Sequence, residues 1–200
     1  IHGHPLSWGN VGYQTPSWIW DEFCPQAEKE ALFAATGVRI PSPDWRKPMG
    51  VRDADRDLWY SKSPRSWAQK WKDVFKVLSE DEVAKTCPTF FANLNRFTFD
   101  HVREVCGKYG TRVDSWDVCN ESAWDFNGTS RTGKPFQRTD RFGVQAVDLA
   151  YNAFRIAGEC LPTNAWLNIN DYATDERYVR QIRNLDSLGC RIDVMGSQMH

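Results

Sequence analysis

The segment Ser115–Glu121 ends in two side chains that are suited to acid–base chemistry and to ligand binding. Its sequence, Ser-Trp-Asp-Val-Cys-Asn-Glu, predicts a short buried strand that ends on the amide of Asn120 and the carboxylate of Glu121. In proteins that alternate strands with helices, carboxylates at the C-terminal ends of strands commonly serve as general acids or bases. Most glutamates are nevertheless solvated, so Glu121 taken alone fits an ordinary loop residue equally well.

Three further predicted strands also end in polar or aromatic side chains. These strands cover residues 1–8, 165–171 and 191–198. The side chains at their ends are His4 and Trp8, then Asn170, Asp171 and Tyr172, and finally Gln198 and His200. Because the carboxyl ends of parallel strands meet at one edge of a sheet, the four endings together predict a shared pocket.

Segments with helical periodicity separate the predicted strands. Helices are expected over residues 25–36, from residue 66, over 98–109, over 139–160 and from residue 174, and Ser79–Glu82 has the form of a capping box. Residues 39–64 show no clear period and are expected to form an ordered surface loop. The alternation of strands and helices predicts an α/β fold built from right-handed parallel units.

The composition excludes several classes of protein. The 200 residues are 41% hydrophobic and 26% charged, with a net charge of -1, which is typical of a globular domain. This charge gives no electrostatic reason to expect a nucleic acid or an anionic membrane as partner, and no apolar run is long enough to cross a bilayer. Trp occurs 10 times and offers flat apolar faces that suit sugar rings, although Trp more often packs in a core.

Six cysteines and one sequon favour an extracellular or periplasmic location. The cysteines form no Cys-x-x-Cys pair and show no metal-type spacing. Cys160 and Cys190 each precede a predicted strand and could face one another, whereas Cys24 and Cys87 bracket an extra region and could also pair. Residues 127–129, Asn-Gly-Thr, fit the acceptor sequence for N-glycosylation.

Five motifs together resemble glycoside hydrolase family 10. They are Gly3-His4-x-Leu6-x-Trp8, Gln14-Thr15-Pro16-Ser17-Trp18, Trp116-Asp117-Val118-x-Asn120-Glu121, Ile169-Asn170-Asp171-Tyr172 and Ile192-Asp193-x-x-Gly196-x-Gln198-x-His200. That family consists mainly of endo-β-1,4-xylanases on a (β/α)8 TIM barrel. The resemblance implies that residues 1–200 form a partial TIM-barrel domain, roughly strands three to six, with an enlarged loop region after the first strand. Residues 19–97 are expected to contain an inserted loop or helical subregion.

The resemblance also implies a reaction and a role for each candidate residue. The reaction is retaining hydrolysis of internal β-1,4-glycosidic bonds in xylan or a related plant cell-wall β-glycan, with Glu121 as general acid/base and the nucleophilic Glu outside this chain. The expected substrate-binding residues are His4, Trp8, Gln14, Asn120, Tyr172, Gln198 and His200, with Asn170 and Asp171 as supporting residues. The expected partner is a polysaccharide or oligosaccharide. No cofactor or metal is expected because two acids and water suffice, and the 200 residues alone are expected to be inactive.

Some positions depart from the family pattern. Gly9 stands where the family usually has His, Asn168 where an aromatic residue is common, and Ala173 where Asn is common. By the resemblance, these positions belong to sugar subsites. The departures therefore leave the exact substrate open, but they do not affect the expected class of reaction. Two alternatives remain: another β-glycosidase of the same barrel clan with altered specificity, and a non-catalytic sugar-binding relative or fragment.

Overall fold

A computed structural model of the protein describes residues 1–8, 19–40, 52–53, 58–59, 65–139 and 143–199. The strands in these ranges are β1 (His2–Gly3), β2 (Ser7–Trp8), β3 (Arg52–Asp53), β4 (Leu58–Trp59), β5 (Ser115–Asn120), β6 (Gln137–Thr139), β7 (Gly143–Gln145), β8 (Trp166–Asp171) and β9 (Val194–Ser197). The helices are α1 (Ile19–Phe23), α2 (Gln26–Thr36), α3 (Arg65–Val74), α4 (Glu80–Thr86), α5 (Pro88–Tyr109), α6 (Ser122–Asp125), α7 (Leu149–Cys160) and α8 (Glu176–Ser187).

The four predicted strands form one parallel sheet. Both β1 and β2 pair with β5, β5 pairs with β8, and β8 pairs with β9, always in parallel. The first predicted strand, residues 1–8, is interrupted between β1 and β2, although the N–H of Leu6 still donates to the carbonyl of Asp117 at 2.8 Å. The predicted parallel α/β arrangement is confirmed, and within the described residues the sheet is open.

A bulge interrupts the pairing of β5 with β8. Asp117 lies opposite Asn168, but the next pair joins Cys119 to Ile169, so Val118 is an extra residue in β5. Bulges of this kind re-aim the side chains that follow them and are common next to active sites.

Helix α7 covers one face of this sheet. It packs against β2, β5 and β8, and its buried apolar side chains include those of Ala150, Ala153, Phe154 and Ala157. The small alanines let the helix approach the strands closely, and the burial of the Phe154 side chain alone contributes about 2 kcal/mol.

Two helices do not begin where their periodicity predicts. The helix expected over 98–109 begins at Pro88, because the carboxylate of Glu28, distant in sequence, accepts the N–H groups of Thr89 at 2.9 Å and Phe90 at 3.1 Å. The helix expected over 139–160 begins only at Leu149. Its expected first part holds β7 and the last residue of β6, since Gly143 has a φ of 84° and Asp148 a φ of 43°, which a right-handed helix cannot contain.

Two local signals define helix ends as predicted. Gly37 ends α2 in the left-handed conformation with a φ of 68°, and its N–H donates to the carbonyl of Phe33. The side chain of Ser79 accepts the N–H of Glu82, whose carboxylate in turn accepts the N–H of Ser79, so the predicted capping box of α4 is confirmed.

The chain forms two compact units. The first comprises Ile1–Gly9, Asn95–Gln137 and Ala146–His200, and the second comprises Asn10–Leu94 and Arg138–Gln145. The first unit contains the parallel sheet. The core of the second unit is aromatic, with ring contacts among Trp20, Trp67, Trp71, Phe90 and Phe91.

The predicted insertion within residues 19–97 overlaps the second unit, and its status as an insertion stays a prediction. The loop expected over 39–64 lies mostly outside the described residues, which include a short antiparallel pair, β3 with β4. None of the helices in the described parts of the chain has the length and apolar character that a membrane span requires.

Candidate active site

Glu121 is held in an unusual backbone conformation between β5 and α6. Its φ of 55° and ψ of 32° are left-handed, and its N–H donates to the carbonyl of Asn170 at 2.9 Å. A non-glycine residue in this conformation costs about 1 kcal/mol or more, so the surrounding contacts must enforce it. The left-handed turn directs the Glu121 side chain away from the path that a continuing strand would give it.

The amide of Gln198 joins three strand ends. Its Nε2 lies 3.0 Å from Oε1 of Glu121, 3.2 Å from Oδ1 of Asn120 and 3.3 Å from Oδ1 of Asn170. An amide nitrogen carries two hydrogens, so the three oxygens share this donor. The structure thus brings together four of the predicted site residues, at the C-terminal ends of β5, β8 and β9.

Asp171 is buried directly behind the turn that carries Glu121. Its Oδ2 accepts the N–H of Ala123 at 2.9 Å, and its Oδ1 accepts the N–H of Ala173 at 2.9 Å. Burial raises the pKa of Asp171, the N–H donors oppose that shift, and the negative charge of Glu121 adds to it. The carboxylate therefore links the loop after β5 to the loop after β8.

A second carboxylate, Asp117, lies on β5 between two histidines. Its Oδ2 is 2.6 Å from Nδ1 of His4 and 3.0 Å from Nε2 of His2. Burial raises the pKa of Asp117, but hydrogen bonds from His4, His2 and Asn170 outweigh this effect and hold the pKa below its usual value. His4 is thereby connected through Asp117 and Asn170 to the amide of Gln198.

Two aromatic rings follow the ends of β5 and β8. The ring centroids of Trp124 and Tyr172 are 6.3 Å apart, and their planes are inclined by 37°. Trp124 is 43% exposed, and the guanidinium carbon of Arg177 lies 3.6 Å from the centroid of its ring. Tyr172 is half-buried, and partly exposed aromatic rings near strand ends are suited to stacking against sugars.

Sequence reasoning missed Trp124 and the pairing of Asp117 with the histidines. Trp124 lies three residues after Glu121, and only this proximity in sequence could have indicated it. For Asp117, the available signals were a charged residue inside a buried strand and the two-residue spacing of His2 and His4, which places both on one face of a strand.

Three predicted site residues lie wholly or partly outside the described residues. Trp8 pairs with Asn120 through the backbone of β2 and β5, but its side chain lies outside the described part of the structure. Gln14 and His200 also lie outside the described residues. Their roles, and the expectation that no metal or cofactor takes part, stay predictions.

The parallel sheet gathers a carboxylate, three amides and two aromatic rings at the C-terminal ends of its strands, the edge at which α/β-barrel proteins place their active sites. The chain belongs to glycosyl hydrolase family 10, whose sequence profile matches residues 57–200. The predicted family and the TIM-barrel class are thereby confirmed, with the described strands as an open part of the barrel sheet.

The curated relatives are xylanases that are longer than this chain. Endo-1,4-beta-xylanase A of Caldicellulosiruptor sp. (strain Rt8B.4) is 33% identical over 72% of this chain, which spans 20% of that relative. Endo-1,4-beta-xylanase A of Xylanibacter ruminicola is 26% identical over 72% of this chain, which spans 34% of it. Among solved structures, xylanase B from Clostridium stercorarium F9 is 22% identical with a TM-score of 0.49, covering 100% of this chain and 43% of that one.

Proposed function

We propose that this chain supplies the acid/base half of a retaining β-glycanase active site that cleaves internal β-1,4 bonds in xylan or a related plant cell-wall β-glycan. The observation that carries the proposal is the position of Glu121, left-handed at the end of β5 with its Oε1 3.0 Å from the amide of Gln198. Family membership and relatives named as endo-1,4-beta-xylanases support the choice of substrate.

In this mechanism Glu121 transfers one proton in each of two steps. It first protonates the glycosidic oxygen as the bond breaks, and it then removes a proton from the water that releases the sugar. The hydrogen bond from Gln198 fixes Oε1 of Glu121, so that Oε2 is presented to the glycosidic oxygen. The amide of Asn120 binds the 2-hydroxyl of the sugar, a contact that strengthens as positive charge develops in the ring.

The second carboxylate of the mechanism comes from a residue outside this chain. Retaining hydrolysis needs two carboxyl groups about 5–5.5 Å apart. Asp171 interacts electrostatically with Glu121, but it is 0% exposed and both of its oxygens accept peptide N–H groups, so it cannot attack a sugar. The 200 residues on their own are therefore proposed to lack retaining activity.

We assign the remaining predicted residues to a sugar-binding surface around Glu121. His4 and the amides of Asn170 and Gln198 offer hydrogen-bonding groups, and Asp171 braces the loops around them. Tyr172 and the exposed Trp124 provide a stacking surface beside Glu121. By the family pattern, Trp8, Gln14 and His200 complete this surface.

The test of the proposal is a Glu121→Gln substitution in the full-length protein, which also carries the second carboxylate. Loss of the proton donor should reduce hydrolysis of xylan by about 10²–10⁴-fold, while binding of xylo-oligosaccharides is retained. Glu104→Gln, at an exposed position of α5, is the matched control and should leave the rate unchanged. Full turnover by Glu121→Gln of both xylan and an aryl xyloside with an activated leaving group would refute the assignment.

An extracellular or periplasmic location follows from the proposed substrate. A polysaccharide of the plant cell wall does not enter a cell, so its hydrolase must act outside the cytoplasm. The sequon at residues 127–129 agrees with this location. Activity found in the culture medium or periplasm, compared with that in the cytoplasm, tests the inference.

A further inference from the structure

Two cysteines of the second unit lie side by side although about 60 residues of sequence separate them. Cys24 follows α1 and Cys87 ends α4, and their side chains are 3% and 0% exposed. Their sulfur atoms lie within 4.8 Å of one another and of an oxygen of Glu28. The N–H of Cys24 donates to the carbonyl of Trp20, and the N–H of Cys87 donates to that of Val83, so each thiol is anchored at a helix end.

The third member of this cluster is already engaged. Both oxygens of Glu28 accept N–H groups at the first turn of α5, from Thr89 at 2.9 Å and from Phe90 at 3.1 Å. A zinc ion would need Glu28 as a ligand, and it would need both cysteines as thiolates. The cluster therefore suits a bond between the two sulfurs better than a metal ion.

We propose that Cys24 and Cys87 form a disulfide when the protein folds in the presence of a small-molecule disulfide such as oxidised glutathione. One thiolate attacks the glutathione disulfide and releases one glutathione, and the second cysteine then displaces the other glutathione from the mixed disulfide. Overall the two cysteines lose two protons and two electrons, and glutathione disulfide is reduced to two thiols.

Because of the surroundings of the two thiols, we expect them to be oxidised before the second unit is fully folded. The hydrogen bond to Cys87 and burial both raise the pKa of the Cys24 thiol, so the folded reduced form holds little of the reactive thiolate. Protein that has folded while reduced should therefore resist both oxidation and alkylation. Protein that refolds from denaturant in a glutathione redox buffer should acquire the bond.

The test is mass spectrometry of the protein after refolding in a glutathione redox buffer. Free thiols are alkylated in denaturant, and the protein is digested without a reductant. A peptide pair that joins Cys24 to Cys87 and lacks the two thiol hydrogens is the expected result. Recovery of both residues in alkylated form would overturn the proposal, as would one bound zinc per chain with both thiols protected only until a chelator is added.

Thermal unfolding provides a second measurement. A disulfide that closes a loop of this length should raise the Tm by about 10 °C, a difference that a reductant abolishes. Cys24→Ser and Cys87→Ser should have the lower Tm whether or not the reductant is present. Cys119→Ser, which removes another buried thiol, is the matched control and should respond to the reductant as the unsubstituted protein does. A reductant-insensitive Tm in the oxidatively refolded protein would contradict the proposal.

Discussion

Replacing Asp171 with Asn should lower the stability of the protein and, in a full-length enzyme that also carries the nucleophile, its turnover. The carboxylate is fully buried and accepts two peptide N–H groups, those of Ala123 and Ala173, each at 2.9 Å. An Asn side chain has the same shape but only one acceptor oxygen, so its NH2 group must face one of the two donors. A buried N–H without an acceptor costs about 1–3 kcal/mol, so the free energy of unfolding should fall by about 2 kcal/mol.

The effect on turnover depends on which donor is displaced. Ala123 lies two residues after Glu121, and a shift of this turn would move the Glu121 carboxylate away from the amide of Gln198. Misplacement of a catalytic group by about 1 Å can reduce kcat by about 10²-fold. KM should change less than kcat, because Asn120, whose amide is proposed to bind the sugar, precedes the turn.

Asp193→Asn is the matched control for this prediction. Oδ2 of Asp193 likewise accepts a peptide N–H, that of Leu167 at 2.8 Å, but Leu167 lies near the start of β8, at the opposite end from Glu121. Urea unfolding should show a larger loss of stability for Asp171→Asn than for Asp193→Asn, because the single acceptor oxygen of the Asn introduced at the control position can still accept the N–H of Leu167, and initial rates on xylan should fall only for Asp171→Asn. If Asp171→Asn loses stability without losing kcat, the role of Asp171 in positioning Glu121 is refuted.

Two further substitutions test the surroundings of the site. Trp124→Ala should raise KM for xylo-oligosaccharides about 10-fold because a stacking contact of about 1.4 kcal/mol is lost. Trp166→Ala, which removes a ring that is 61% exposed at the start of β8, should leave KM unchanged, and equal effects of the two would contradict the prediction. Asp117→Asn should destabilise the protein by about 1–2 kcal/mol at neutral pH. Since folding lowers the pKa of Asp117, its contribution is present above about pH 4 and is lost as the pH falls through the folded-state pKa. Urea unfolding between pH 2 and 7 measures this loss, and a difference that is independent of pH would contradict it.

The parts of the fold that could be predicted are those that local sequence determines. Gly37 ends α2 by a conformation that glycine adopts without strain, and Ser79 begins α4 through a partner three residues away. The start of α5 could not be predicted, because its cap is Glu28, distant in sequence. The start of α7 was placed too early because apolar spacing continues through residues whose left-handed backbone ends any helix.

In the candidate site, too, some contacts could be predicted from the sequence and others could not. Asn120, Asn170 and Gln198 could be placed together because each lies at or just after the C-terminal end of a strand of one parallel sheet, and topology alone brings such positions to one edge. The contacts of Asp117 with His2 and His4 could not be predicted, because they depend on the directions of side chains on two neighbouring segments. The exposure of Trp124 likewise depends on how α6 lies on the molecule.

The extra residue Val118 makes the pocket depend on the length of β5. On β8, Asn168 and Asn170 are two residues apart and so share a face of the sheet, whereas their partners on β5, Asp117 and Asn120, are three apart. An odd spacing without the bulge would send Asp117 and Asn120 to opposite faces. The bulge at Val118 therefore lets Asp117 and Asn120 both follow the face set by Asn168 and Asn170, and deletion of Val118 would leave them two residues apart on that face but would remove the kink that precedes Glu121.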